Sequence, residues 1–123
     1  MTGIPVLVVE DNETNLRLIR YLLSSKGYEA RSAVNATEAM EVLKEFHPRL
    51  ILMDMQLPGT DGYELTRRLK AAPETKDIVI VALTAFAMKG DEEKAREAGC
   101  DGYLTKPLDT RAFAATLDEY LRR

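Results

Sequence analysis

Three acidic residues in this sequence directly follow short apolar runs. Glu10 and Asp11 come after the run at residues 4–9, and Asp54 comes after the run at residues 50–53. Carboxylates that meet at one place repel one another and raise one another's pKa unless a cation is present. Clustered oxygen ligands suit Mg²⁺, which takes one or two carboxylates and keeps several of its waters. The three acids therefore indicate a candidate magnesium site.

Two further polar residues follow apolar runs and extend the candidate chemistry. Thr84 comes after the run at residues 78–83, and Lys106 comes shortly after the run at residues 102–104. A metal ion, a lysine and a hydroxyl donor meet the needs of phosphoryl transfer to an ionised carboxylate. Asp54 is the best candidate nucleophile, because its apolar run would form a central strand.

The other two acids are better placed to hold the metal, Asp11 directly and Glu10 through a water molecule. Each residue also has an ordinary structural interpretation, since an Asp after a strand more often begins a turn than catalyses a reaction. Glu10 and Asp11 could also form the polar start of a helix, where negative charge is favourable. Turn chemistry does not explain why three acids and a lysine should converge, and that convergence favours a site.

The hydrophobic pattern predicts the elements that would position these residues. Continuous apolar runs that are too short for helices predict interior strands, and weaker runs predict an edge strand and a short last strand. The predicted strands cover residues 4–9, 28–33, 50–53, 78–83 and 102–104. Amphipathic periodicity predicts helices over residues 14–26, 36–46, 62–72 and 91–98, and a last helix carrying Phe113, Leu117 and Leu121.

Two of these helices carry specific expectations about burial. In the second helix, Ala39, Met40 and Leu43 are expected to point inward. The fourth helix offers only Ala95 and Ala98 to the interior. Because burying two alanines stabilises far less than burying two leucines, we expect the fourth helix to be the most loosely anchored.

Strand and helix alternate five times with short connections. This order predicts a flavodoxin-like, doubly wound α/β fold in which helices cover both faces of a parallel sheet with strand order 2-1-3-4-5. The carboxyl ends of parallel strands collect at one edge of the sheet, where open α/β folds bind their ligands. That edge would bring the polar residues described above together.

Length and composition exclude several classes of protein. The 123 residues suit a single domain, expected to cover residues 1–123 without an output domain, and 46% hydrophobic content is typical of globular proteins. A net charge of −3 without a basic run argues against a nucleic-acid partner. No apolar stretch reaches the ~20 residues of a membrane span. The single cysteine, Cys100, suits a reducing compartment, so a cytoplasmic location is predicted.

Taken together, the motifs resemble the response-regulator receiver domain of two-component signalling systems. The similar segments are Glu10-Asp11-Asn12, LMDMQLPG at residues 52–59 with Asp61-Gly62, ALTA at residues 82–85, and Lys106-Pro107. They span the whole chain in the order and spacing of the family. The stretch at residues 84–93 is particularly similar to stand-alone receivers that regulate the cell cycle.

The resemblance implies a phosphorylated Asp54 and a bound Mg²⁺, for which Mn²⁺ can substitute. The implied ligands are Glu10, Asp11, Asp54 and the main-chain carbonyl of Gln56. Position 10 holds Glu where Asp is commoner in the family, which changes the reach of the carboxylate more than its charge.

The resemblance also implies a switch and two kinds of partner. Lys106 would contact the phosphoryl group, and Thr84 and Tyr103 would form the switch. A sensor histidine kinase or a histidine phosphotransfer protein would donate the phosphoryl group from a phosphohistidine. A downstream protein would bind the face formed by the fourth helix, fifth strand and fifth helix. The domain would catalyse its own phosphorylation and dephosphorylation, rather than act as an enzyme on other substrates.

Other functions share some of these sequence features. The chain could be an intermediate in a phosphorelay, or an adaptor with a degenerate site that binds no Mg²⁺. A Mg²⁺-dependent aspartyl-phosphate hydrolase similar to haloacid dehalogenases is less well supported, because Gln56 stands where that class has a second Asp. A dinucleotide-binding fold would need a Gly-rich loop after the first strand, which the sequence lacks.

The remaining noticeable side chains have structural interpretations. His47 precedes a proline at a predicted helix end and is expected at the surface. Cys100 is expected to be a small buried residue rather than a reactive thiol. Tyr21, Tyr28 and Tyr120 are expected to be half-buried packing residues.

Overall fold

The computed structural model describes residues 3–57, 62–84, 90–106 and 108–122. Within these ranges, five strands alternate with five helices. The strands are β1 (Pro5–Val9), β2 (Glu29–Ala33), β3 (Leu50–Asp54), β4 (Val79–Thr84) and β5 (Gly102–Thr105). The helices are α1 (Glu13–Ser25), α2 (Ala36–Leu43), α3 (Gly62–Ala71), α4 (Asp91–Ala98) and α5 (Phe113–Leu121).

The strands form one parallel sheet in the order β2-β1-β3-β4-β5, so the predicted fold class is confirmed. The register pairs Val9 with Met53 and Asp54 with Leu83. The carboxyl ends of β1, β3 and β4 therefore lie side by side, with β3 in the centre. Among the described residues, no helix combines the length and apolar character needed to cross a bilayer.

Alternate residues of the central strands contribute to two separate hydrophobic cores. On one face, Leu7 and Ile51 pack in a cluster with residues of α2, α3 and α4. On the other face, Val8 and Leu52 pack in a cluster with residues of α1 and α5. Because β1 and β3 are covered on both faces, their side chains are apolar without interruption until the strands end.

The second helix is shorter than predicted and turns a different side inward. It ends at Leu43, although Phe46 beyond its end is still buried. Ala39 is buried and Leu43 partly buried, as predicted, but Met40 is 42% exposed, so the expectation for Met40 was wrong. The physical reason is that α2 covers β2 at the edge of the sheet, where one side of the helix extends beyond the strands.

The fourth helix buries the two alanines that the sequence predicted, and its loose anchorage stays a prediction. Ala95 and Ala98 are its buried residues among those whose side chains are described. Gly90 and Gly99, at its two ends, have φ angles of 98° and 109°, a left-handed conformation that glycine adopts without a steric penalty. By contrast, α5 buries Phe113, Leu117 and Leu121. The apolar area that α4 buries is therefore small.

A close approach of backbones joins the start of α3 to the end of β3. A Cβ atom at Gly62 would lie 2.6 Å from the main-chain oxygen of Asp54 and 2.8 Å from Cα of Met55. The N–H of Gly62 also donates a hydrogen bond to the main-chain oxygen of Met55 (3.3 Å). Glycine at this position therefore lets α3 pack directly against the backbone that carries Asp54.

Substitution of this glycine tests that packing. Gly62→Ala is expected to lower the free energy of unfolding by about 2 kcal/mol, because the added methyl group meets main-chain atoms that have little freedom to move. Urea denaturation followed by circular dichroism measures the change. The control is Glu64→Ala in the exposed part of the same turn, expected to change stability by about 0.5 kcal/mol or less. Equal stability of the two variants would contradict the packing argument.

Candidate functional site

Three carboxylates meet at the carboxyl edge of the sheet. Glu10 and Asp11 follow the end of β1, and Asp54 is the last residue of β3. Each offers an oxygen, and these oxygens all lie within 4.8 Å of one another. Parallel pairing of β1 with β3 produces this arrangement, because it places the ends of the two strands next to each other.

The three carboxylates differ sharply in exposure. Glu10 has no exposed surface and Asp54 is 2% exposed, whereas Asp11 lies at the surface. Each buried carboxylate accepts one hydrogen bond from a backbone N–H group. The N–H of Asn12 donates to Glu10 Oε2 (3.1 Å), and the N–H of Gln56 donates to Asp54 Oδ1 (2.9 Å). The site is therefore a buried acidic floor with one solvent-facing carboxylate at its rim.

Lys106 supplies the positive charge within this group. Its Nζ lies 2.8 Å from Glu10 Oε1 and 3.3 Å from Asp54 Oδ2, and its side chain is 17% exposed. Burial by itself lowers the pKa of the Lys106 ammonium, but the facing carboxylates of Glu10 and Asp54 outweigh burial, so the pKa lies above its ordinary value. Lys106 therefore stays charged at neutral pH.

The surroundings of Lys106 favour its charged form, whereas those of Glu10 favour its neutral form. Burial raises the pKa of the Glu10 carboxyl, the neighbouring Asp54 raises it further, and Lys106 only partly counteracts them. One lysine offsets one of the three negative charges, so the group keeps an excess of negative charge. That excess gives the site its affinity for a cation.

Thr84 and Gln56 form a hydrogen bond beside the acidic group. Thr84 is fully buried at the end of β4, and its Oγ1 accepts a hydrogen bond from Nε2 of Gln56 (3.1 Å). The main-chain oxygen of Thr84 accepts a hydrogen bond from the N–H of Lys106 (2.8 Å). Thr84 is thus connected through its backbone to Lys106 and through its hydroxyl to Gln56.

Tyr103 lies on the neighbouring strand, away from the acidic group. It is partly buried and packs against the core cluster that contains Ala95 of α4. It also lines a cavity of about 290 Å³ between α4, β5 and α5, together with Arg96 and Tyr120 among other residues. The structure therefore places Tyr103 next to α4.

Comparison with known proteins identifies the family. The sequence profile of the response regulator receiver domain matches residues 6–118. The chain belongs to the response regulator receiver domain family. Curated relatives support this assignment: the polar-differentiation response regulators DivK of Brucella ovis and of Brucella abortus (strain S19) are each 47% identical over 116 residues, covering 94% of both chains.

Solved structures of receivers superpose closely on this one. A putative response regulator from Chloroflexus aurantiacus has a TM-score of 0.92 at 32% identity, covering 99% of this chain and all of that one. The receiver domain of the sensor histidine kinase PA1611 from Pseudomonas aeruginosa has a TM-score of 0.89 at 34% identity, with the same coverage. The latter structure has a magnesium ion coordinated in its active-site cleft. The likeness to cell-cycle receivers, predicted from residues 84–93, agrees with the DivK relatives.

The donor set of this receiver domain fits a magnesium ion. Mg²⁺ prefers hard oxygen ligands and keeps several waters, so it needs a few carboxylates with access to solvent. Solvent-facing Asp11 and buried Asp54 provide such oxygens together with Glu10, and these oxygens lie within 4.8 Å of one another. The contact of Glu10 with Lys106 makes it the least available of the three, and its role through water stays a prediction.

The side-chain contact of Gln56 was missed in the sequence. The resemblance assigned a metal-binding role to the main-chain carbonyl of Gln56, and that role stays a prediction. An amide two residues after Asp54 was the one available signal, but its partner lies on another strand. Several predicted motif residues fall outside the described part of the chain: Pro58, Gly59, Asp61, residues 85–89 and Pro107.

The remaining noticeable residues have structural roles, with one surprise. His47 is exposed as expected. Cys100 is partly buried rather than buried, and burial raises the pKa of its thiol to about 11, which disfavours the reactive thiolate. Tyr28 and Tyr120 are partly buried as expected. Tyr21 is 70% exposed, so its predicted packing role was wrong. The reason is that α1 buries Ile19 and Leu23, and Tyr21 lies on the opposite side of the helix.

Removal of the lysine charge tests the electrostatic account. In metal-free buffer, Lys106→Met is expected to lower the free energy of unfolding by about 2 kcal/mol, because two nearly buried carboxylates lose their shared counter-charge. Urea denaturation in the presence of a chelator measures this. The control is Lys44→Met, which breaks an exposed ion pair with Glu41 (3.2 Å) and is expected to cost about 0.5 kcal/mol or less. A loss at Lys106 as small as that at Lys44 would contradict the account.

Proposed function

We propose that this receiver domain accepts a phosphoryl group on Asp54 and signals through phosphorylation-dependent binding of another protein. The observation that carries the proposal is the position of the Asp54 carboxylate. It lies at the end of the central strand, among two other carboxylates, with the Lys106 ammonium 3.3 Å away. A carboxylate held beside a fixed cation suits nucleophilic attack on phosphorus.

The donor in this proposal is the phosphohistidine of a sensor histidine kinase or of a histidine phosphotransfer protein. An oxygen of Asp54 attacks the phosphorus, and the new P–O bond forms as the P–N bond to the imidazole breaks. The leaving nitrogen keeps the bonding electron pair and then takes a proton from solvent. Lys106 remains charged throughout and stabilises the negative charge on the transferring group.

Glu10, Asp11, Asp54 and the main-chain carbonyl of Gln56 would hold Mg²⁺ in this site, or Mn²⁺ in its place. When bound, the ion supplies positive charge to the non-bridging oxygens of the phosphoryl group. Within the chain, Asp11 provides the solvent-facing ligand, and Glu10 orients Lys106 through their 2.8 Å ion pair. This division of roles follows from the difference in exposure between the two acids.

The domain would also catalyse its own dephosphorylation. Water attacks the phosphorus, the P–O bond to Asp54 breaks, and the carboxylate is regenerated with release of inorganic phosphate. Because Gln56 stands where aspartyl-phosphate hydrolases have a second Asp, the protein would not turn over other phosphate esters. We also propose a cytoplasmic location, in which the partly buried thiol of Cys100 stays reduced.

The signal would pass from Asp54 through Thr84 and Tyr103 to the β5 edge of the sheet. The phosphoryl oxygens are strong hydrogen-bond acceptors, so the Thr84 hydroxyl would turn to donate to one of them. Tyr103 would then rotate inward, and α4 would shift, because its two buried alanines resist displacement weakly. A downstream protein would bind the surface formed by α4, β5 and α5.

Substitution of Asp54 tests the acceptor role. Asp54→Asn is expected to fold and to lose at least about 99% of phosphoryl uptake from a phosphorylated kinase or acetyl phosphate, because an amide is a poor nucleophile. Phosphate incorporation in the presence of Mg²⁺ measures this. Removal of divalent metal with EDTA is expected to abolish uptake by the unsubstituted protein as well.

The control for this experiment is Asp77→Asn, which changes an exposed carboxylate near the opposite end of β4. Its uptake is expected to match that of the unsubstituted protein. Normal phosphate incorporation by Asp54→Asn would refute the assignment of the acceptor, and normal incorporation without metal would refute the role of Mg²⁺.

Substitution of Thr84 tests the switch separately from acceptance. Thr84→Ala is expected to take up phosphate but to lose the phosphorylation-dependent changes in the amide chemical shifts of α4, because no hydroxyl reaches the phosphoryl group. Two-dimensional NMR with and without phosphorylation measures both. The control is Thr37→Ala on the exposed side of α2, which should keep the full response. A full α4 response in Thr84→Ala would show that the signal does not pass through this hydroxyl.

A further inference from the structure

Gln56 contacts both residues that the proposed function requires to act in sequence. Its backbone N–H donates to Asp54 Oδ1 (2.9 Å), and its side-chain Nε2 donates to Thr84 Oγ1 (3.1 Å). Residues 56 and 84 are 28 positions apart and reach each other because β3 and β4 are neighbours. One residue thus connects the proposed acceptor with the proposed switch.

The hydroxyl of Thr84 can move more freely than its backbone. The backbone of Thr84 is held by the sheet, since it pairs with Thr105 and its carbonyl accepts the N–H of Lys106 (2.8 Å). Its hydroxyl can change direction only by rotation about the Cα–Cβ bond. In the present arrangement, that hydroxyl oxygen accepts a hydrogen bond from the Gln56 amide, so any rotation that turns it away from Gln56 requires this hydrogen bond to break.

We propose that the side chain of Gln56 is a latch that holds the Thr84 hydroxyl in its resting position and thereby sets the threshold for switching. Gln56 is a positioning residue here, since it acts through Thr84 and needs no contact with the phosphoryl group. The inference rests on the proposed function, because a latch has a purpose only if Thr84 turns toward a phosphorylated Asp54. It concerns the side-chain amide alone and is separate from the predicted role of the main-chain carbonyl.

The size of the effect follows from the type of hydrogen bond. A neutral, partly buried hydrogen bond shifts an equilibrium by about twofold to tenfold. A state that must be reached before a ligand binds tightly lowers the apparent affinity by its fractional population. Removal of the latch should therefore tighten the binding of a phosphoryl mimic by a similar factor.

The test uses the full chain and beryllofluoride, a phosphoryl mimic that is not hydrolysed to phosphate, at saturating Mg²⁺. Gln56→Met keeps the length of the side chain but removes the amide donor. Its apparent dissociation constant for beryllofluoride is expected to be about twofold to tenfold lower than that of the unsubstituted protein. NMR titration measures the constant and, from the Thr84 amide shift, the resting conformation.

Two backgrounds separate a latch from a general structural effect. In Thr84→Ala, which has no hydroxyl to hold, the addition of Gln56→Met should leave the dissociation constant unchanged. In Thr84→Ser, which keeps the hydroxyl, the tightening should return. An unchanged constant in Gln56→Met, or equal tightening in the Thr84→Ala background, would overturn the latch.

The experiment also distinguishes this inference from the proposed function. If the unsubstituted protein fails to bind beryllofluoride in the presence of Mg²⁺, the assignment of the phosphoryl site is wrong, and the latch falls with it. If the unsubstituted protein binds and Gln56→Met binds equally well, only the latch is wrong.

Discussion

The ion pairs of Lys106 with two nearly buried carboxylates are the interaction on which the rest of this structure depends. Glu10 follows β1 and Asp54 ends the adjacent β3, and each would be costly to bury as an anion without a nearby cation. One lysine cannot neutralise the whole acidic group, so the site keeps an attraction for a divalent cation. The same shortage of positive charge that costs stability therefore prepares the domain for a metal and a phosphoryl group.

The fold confines the acidic group to the carboxyl edge of the sheet and places α4 where it can respond to changes there. Apolar side chains on both faces of β1 and β3 hold the two carboxylates in place, and Gly62 allows α3 to pack against the same backbone. On the same face as α3, α4 buries little apolar area. A rigid site beside a weakly anchored helix is the arrangement that a phosphorylation switch needs, because binding energy at the site can displace the helix without unfolding the core.

The sequence predicted the sheet and the meeting of the acids well, because both depend on simple patterns. Apolar runs end where the strands end, and parallel strands bring their ends together. Local packing was less predictable: burial of Phe46, whose ring lies 4.6 Å from the Arg31 guanidinium, extended the apparent helical pattern beyond Leu43. Met40 is exposed because α2 lies at the sheet edge, which periodicity does not reveal. The contact of Gln56 with a distant threonine depends on the conformation of one side chain and could not be read from spacing.

Chemical trapping of the phosphorylated residue tests the central claim most directly. The protein would be incubated with acetyl phosphate and Mg²⁺, reduced with sodium borohydride, digested and sequenced by mass spectrometry. Because borohydride converts an aspartyl phosphate to homoserine, the account predicts homoserine at position 54 and an unchanged residue at position 11. Reduction at position 11 or at another acidic residue, or none at position 54, would contradict the assignment of Asp54 as the acceptor in this acidic site.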